Sequence, residues 1–106
     1  MRRPTFWGAA AREQVLADRV SIQVTIVNKL GLHARPAMTF VDLASTFQSE
    51  VTVRRADQEV DGKSIMHMMM LAATKGTQLT VTATGPDAEK ACAALQKLVD
   101  GGFDED

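Results

Sequence analysis

A chain of 106 residues, 45% of them hydrophobic, is sized for one domain around one core. Its 12 basic and 13 acidic side chains leave a net charge of −1, which excludes a bulk electrostatic pull toward nucleic acid or an anionic membrane. One cysteine, Cys92, excludes an internal disulfide framework and fits a reducing compartment, so a cytoplasmic location is expected.

The start, Met1-Arg2-Arg3-Pro4, is basic, but Thr5 to Asp18 holds no continuous apolar stretch. A secretory signal is therefore not expected. No apolar run approaches the roughly 20 residues of a spanning helix, so membrane insertion is not expected either. Residues 1–18 read as an extension to a domain over residues 19–106. They allow a short helix between Ala9 and Asp18 packing by Phe6, Trp7, Val15 and Leu16, a disordered tail, or a start assigned too far upstream.

From Val20 the pattern sharpens. Val20, Ile22, Val24 and Ile26 alternate with Ser21, Gln23 and Thr25, the period of a strand with one buried face. Asn28-Lys29-Leu30-Gly31 is a turn. Ala37, Phe40, Val41, Ala44 and Phe47 then share one face of a helix, with Pro36 in its first turn. Val51 and Val53 mark a second strand, and Gln58 to Val60 a weak third one. Asp61-Gly62-Lys63-Ser64 breaks the chain and caps a short helix to about Leu71. Leu79, Val81 and Ala83 alternate with threonines in a fourth strand. Gly85-Pro86-Asp87 opens a last helix whose stripe is Ala88, Ala91, Cys92, Leu95, Leu98 and Val99. Gly101-Gly102 ends it before the acidic tail Asp104-Glu105-Asp106.

The order is β-α-β-β-α-β-α, and each strand has one apolar and one polar face. This predicts an α+β member of the α/β class, an open-faced sandwich. It has a four-stranded antiparallel sheet with three helices on one face.

His33 stands where the turn meets the start of the first helix. Unpaired N–H groups and the positive end of the helix dipole converge there. That end favours a neutral ring, whose lone pair a nucleophile needs, and then favours a bound dianion. The Ala34 and Arg35 amides are candidate phosphate holders, and Arg35 can add a charge-assisted contact. A lone histidine is more often a cap or a packed side chain. Gly31 before it and Arg35-Pro36 after it favour the nucleophile. No Asp or Glu is placed by motif to orient the ring, which argues against a hydrolase.

The stretch Leu30-Gly31-Leu32-His33-Ala34-Arg35-Pro36-Ala37 resembles the active-site signature of the HPr family of phosphocarriers. Gly62-Lys63-Ser64-Ile65-Met66 resembles that family's regulatory-serine signature. The likeness spans about Val20 to Phe103. It implies an HPr-like fold and a non-enzymatic carrier of the sugar phosphotransferase system, without cofactor or metal. The resemblance makes His33 the phosphohistidine, modified at Nδ1. Phosphoenolpyruvate is then the ultimate donor through Enzyme I, and IIA components are the acceptors. It also implies phosphorylation of Ser64 by an HPr kinase/phosphorylase, compatible with an N-cap role. Residues 1–18 have no family counterpart, and the acidic tail runs slightly past the family's usual end, with no role assigned.

Ile65 and Met66, with Lys63 at their edge, are the candidate docking patch, and a monomer is expected. The run Met66-His67-Met68-Met69-Met70 carries soft ligands suited to Cu(I), but methionine more commonly packs cores and docking surfaces. Two rivals remain. A sheet that binds RNA would display aromatics, and this open face carries Ser21, Gln23, Thr25, Thr80, Thr82 and Thr84. A regulator of carbon or nitrogen metabolism working mainly through Ser64 would not need His33 beside Arg35.

Overall fold

The structure is a computed structural model and describes residues 18–105. The expected packing of Phe6, Trp7, Val15 and Leu16 lies outside the described residues. Four strands form one sheet: β1 (Arg19–Thr25), β2 (Glu50–Arg55), β3 (Gln58–Asp61) and β4 (Gln78–Thr84). Three helices alternate with them: α1 (Ala34–Ala44), α2 (Ile65–Met70) and α3 (Ala88–Asp100). A 3-10 turn, Gly102–Asp104, follows α3.

The strand order is β1-β4-β2-β3 and every neighbouring pair is antiparallel. β1 and β2 are therefore parallel with β4 between them, and β3 and β4 are parallel with β2 between them. Each parallel pair is joined through a helix. Parallel crossovers have a strongly preferred hand. The two here run in opposite directions, so they are related by a half-turn about the sheet normal. A crossover of the same hand then puts α1 and α2 on the same face, which leaves the other face open.

Register follows the alternation. Ile22, Val81, Val53 and Val60 form one row across the sheet, and Val53 and Val81 are fully buried. On the other face Ser21 pairs with Thr82 through their hydroxyls at 2.8 Å. Val24 and Ile26 are buried as expected, whereas Val20 and Ile22 are half-buried. They lie on the edge strand, with β4 on one side only. Between sheet and helices lie Phe40, Met68, Leu71, Leu79 and Leu95. Helix α1 ends sooner than its apolar period suggests. Ser45 closes it, and the Thr46 hydroxyl donates to the Leu43 carbonyl. Phe47 therefore packs on the core from a turn rather than from the helix.

Asp87 stands at the N-cap position of α3, yet its carboxylate caps nothing in its own helix. It accepts hydrogen bonds from the Gln48 amide at 2.9 Å, the Ser49 amide at 2.9 Å and the Ser49 hydroxyl. Gly85 permits this approach, since a Cβ there would lie 2.7 Å from the Ser49 Cα. The link between α1 and β2 is thus clamped to the start of α3. The Ser49 hydroxyl, followed by the Gln48 amide, holds the Asp87 carboxyl below its ordinary value of 3.8. A depressed folded-state value stabilises the fold fully above the unfolded value, and this is lost as pH falls through the folded one. Asp87→Asn should therefore lower stability at neutral pH and flatten its decline below about pH 5. Urea unfolding at several pH values tests this; an unchanged acid limb would remove the carboxylate from the clamp.

Candidate active site

The site begins where β1 leaves the sheet. Ile26 still exchanges backbone bonds with Gly76 and Thr77, and then the chain turns. Gly31 closes the turn with its amide to the Asn28 carbonyl at 3.2 Å and a φ of +71°. A Cβ at this position would sit 2.5 Å from the Ala73 carbonyl oxygen. The Leu32 amide donates to that same oxygen at 2.8 Å, and the Leu32 side chain is buried. These constraints deliver His33 to the N-cap of α1 in extended conformation, φ −80° and ψ −172°. Its carbonyl accepts the Ala37 amide and its ring caps nothing in the helix. The ring is therefore available to the surface, with 38% of the side chain exposed.

Ala34 and Arg35 fall in the first turn, where helical geometry provides no carbonyl for their amides. Pro36 follows, buried, where its missing N–H costs nothing. Arg35 is exposed, and its side chain lines the same open depression as His33. That depression measures about 900 Å³ and is also bounded by Lys29, Leu30, Asp104 and Glu105.

Glu105 is the residue that motif reading missed. Its Oε1 lies 3.1 Å from His33 Nε2, and Asn28 Nδ2 donates to the same oxygen at 3.1 Å. An acidic group therefore does orient the ring, contrary to expectation, and it comes from the tail that had no assigned role. Phe103 is the anchor: it is buried, and both it and Asp104 adopt positive φ, 58° and 60°. Each such residue costs on the order of 1–2 kcal/mol, which the burial of Phe103 offsets. The Glu105 amide then bonds the Gly102 carbonyl at 2.9 Å, which sets the side chain over the site. The bond to His33, aided by those from Asn28 and the charge of Arg35, holds the Glu105 carboxyl below the usual carboxylate range despite partial burial.

Ser64 caps α2, its hydroxyl accepting the His67 amide at 3.2 Å. It does not lie beside His33. The end of α2, through Ala73, abuts the turn before His33. Its start meets the end of α1, where Lys63 Nζ donates to the Phe47 carbonyl at 2.8 Å. The two helices thus run past each other in opposite senses. Ile65 and Met66 are exposed, at 37% and 77%. Met69 and Met70 are also exposed, and so is Leu30, at 72%, which lines the depression beside His33. Met68 is fully buried, which divides the methionine run between core and surface. Cys92 is buried in α3 as expected, and burial pushes its thiol up.

The family profile described as "PTS HPr component phosphorylation site" matches residues 20–100. The chain belongs to the HPr family. It is 52% identical to the phosphocarrier protein HPr of Pseudomonas putida over 84 residues, covering 78% of this chain and 93% of that protein. It is 46% identical to the phosphocarrier protein NPr of Escherichia coli over 84 residues, again 78% and 93%. The crystal structure of HPr from Thermoanaerobacter tengcongensis superposes with a TM-score of 0.79 at 40% identity, covering 82% of this chain and 98% of that one. As in that family, the protein is a phosphocarrier of the phosphotransferase system rather than an enzyme, and it carries a transient phosphohistidine. No helix among the described residues is long and apolar enough to cross a membrane.

Gly31 is the position where backbone and packing leave least freedom. Gly31→Ala should lose about 2 kcal/mol or more, from the left-handed backbone and the collision with Ala73 together. Denaturant unfolding measures this directly; a loss under about 0.5 kcal/mol, the range of an ordinary surface change, would mean that the turn is not under this constraint.

Proposed function

We propose that this protein takes a phosphoryl group on His33 Nδ1 from phosphorylated Enzyme I, with phosphoenolpyruvate as ultimate donor, and passes it to IIA-type acceptors in the cytoplasm. The observation that carries this is the half-exposed His33 ring at the start of α1, with Nε2 engaged by Glu105. Nδ1 is then the nitrogen left for the incoming phosphorus. The amides of Ala34 and Arg35 and the guanidinium of Arg35 suit the charge that arrives with it. The chain acts as a monomer in this reading. Similarity to both HPr and NPr relatives supports sugar and nitrogen branches alike.

Docking uses the exposed apolar surface of Ile65 and Met66, with Lys63 at its edge. A few apolar anchors within charged surroundings give fast, reversible association. Ser64 is a phosphorylation site for an HPr kinase/phosphorylase. The six residues of α2 span roughly 9 Å at helical rise, close to the screening length of physiological salt. A phosphate on Ser64 therefore acts on the docking partner more than on the His33 ring. The fold tolerates it, because Ser64 already stands at a helix start.

His33→Ala should accept no phosphate from phosphorylated Enzyme I, while wild type forms an acid-labile, base-stable phosphoryl adduct. Acceptance by the alanine variant would overturn the assignment. Arg35→Lys keeps the charge and loses the planar fork, so transfer should slow roughly tenfold with an unchanged melting curve. An unaltered rate would remove Arg35 from the site.

Ser64→Asp should slow transfer from Enzyme I by raising KM, whereas Ser64→Ala transfers near-normally. Thermal melts of both variants establish that they are folded. Equal transfer in all three proteins would leave Ser64 an ordinary helix cap.

A further inference from the structure

Sulfur is distributed unevenly between core and surface. Among the described residues Cys92 and Met68 are buried, while Met66, Met70, Met38 and Met69 are exposed at 77%, 61%, 49% and 44%. A cysteine meets an oxidant through its thiolate. Cys92 is shielded from that reaction: its Sγ donates to the Val20 carbonyl at 3.4 Å, and burial pushes the thiol up. A thioether needs no deprotonation to be oxidised. The accessible sulfur on the described surface is therefore methionine sulfur.

Helical geometry gathers three of these side chains. Met66, Met69 and Met70 stand at i, i+3 and i+4 in α2, which places them on one face. Met68, between them in sequence, is fully buried. The one polar side chain of α2, His67, is engaged by the Asp61 amide at 3.4 Å, and the neighbouring Lys63 ammonium by the Phe47 carbonyl at 2.8 Å. The other five residues of α2 carry no N–H or O–H in their side chains. An oxygen added to one of these sulfurs finds no donor on its own helix.

We propose that Met66, Met69 and Met70 form an oxidant-sensitive modification site, at which a hydroperoxide converts thioethers of the docking surface to sulfoxides and slows the relay reversibly. The proposal rests on the docking reading of this surface. With hydrogen peroxide, a sulfur lone pair attacks one peroxide oxygen. The S–O bond forms as the O–O bond breaks, and the second oxygen leaves with that electron pair. It takes up the proton of the attacked oxygen and one molecule of water is released. Sulfur has lost the two electrons that the peroxide gained. In the reverse step two thiols of a dithiol reductase supply two electrons. They become a disulfide, the oxygen leaves as water and the thioether returns.

The sulfoxide turns a flexible apolar side chain into a polar one. In the free protein water hydrates the new oxygen. Under a docked partner it is desolvated and lacks a donor, which weakens association. The fold does not bear that cost, because these three side chains are exposed and the core contact is made by Met68. His33 is not altered, so the effect falls on KM rather than on the maximal rate.

The full-length protein is treated with hydrogen peroxide, quenched with catalase and assayed for transfer from phosphorylated Enzyme I. Peptide mass spectrometry locates each added oxygen. Met66, Met69 and Met70 should gain oxygen well before Met68. KM for phosphorylated Enzyme I should rise roughly tenfold, with the maximal rate and the melting curve unchanged. Methionine sulfoxide reductases with a dithiol should restore it. Met66→Leu/Met69→Leu/Met70→Leu removes the thioethers at nearly constant volume. Compared with its own untreated form, this variant should not respond to peroxide. A response would place the sensitive sulfur elsewhere, Met38 included, and overturn the proposal. Met66→Asp, kept from peroxide, tests docking itself, and an unchanged KM there would overturn the docking reading. A raised KM in Met66→Asp beside an unchanged KM in oxidised wild type would overturn the sulfoxide proposal alone.

Discussion

Placement of the site depends on one backbone seam, where Gly31 and Leu32 lie against the carbonyl of Ala73. The Leu32 amide bonds that oxygen, and Gly31 lies so close to it that no side chain fits. The seam joins the turn before α1 to the loop after α2. It therefore sets where His33 leaves the core and where the α2 surface begins. Leu32 and Ala73 are both buried, so water does not compete for the bond between them. Arg55 braces the same region from the sheet, its guanidinium donating to the Leu71 carbonyl at 2.7 Å. The His33 ring is thus presented half-exposed from a backbone held by these bonds.

From that seam follows the division of labour between the two helices. α1 begins at His33 and ends near Lys63, while α2 begins beside Lys63 and ends at the seam. His33 and the capping serine therefore stand at opposite ends of one surface. Between them lie the exposed methionines Met66, Met69 and Met70, whose side chains are flexible and polarisable. Lys63 is less free than its charge suggests, since its ammonium is held by the Phe47 carbonyl.

The tail completes the site from the far end of the chain. Glu105 reaches a histidine 72 positions earlier because α3 returns along β1 and β4 and stops beside the turn that holds Asn28. Phe103 anchors the last turn by burial, and the strained residues there are held in place by that anchor and by the backbone bonds of Asp104 and Glu105. Asp87 serves a comparable purpose at the other end of α3, tying that helix to Ser49. Both carboxylates act across the fold rather than within their own elements.

The sequence by itself determined the element order, the buried face of each strand and the histidine at a helix start. These are local properties, written in periods of two and of three to four residues and in turn chemistry around Gly31 and Pro36. The same locality explains why His33, Arg35 and Ser64 stand out as candidates, since each belongs to a short contiguous signature. What only the tertiary structure decided was everything that joins distant segments. The strand order β1-β4-β2-β3, the opposite running of α1 and α2, and the Asp87 clamp carry no periodic mark. Glu105 looked like one of three acids in a polar tail. It meets the His33 ring because the handed crossovers, the Ala73 seam and the burial of Phe103 bring the chain end there. No pattern along the chain encodes that distance, because it is set by packing in three dimensions.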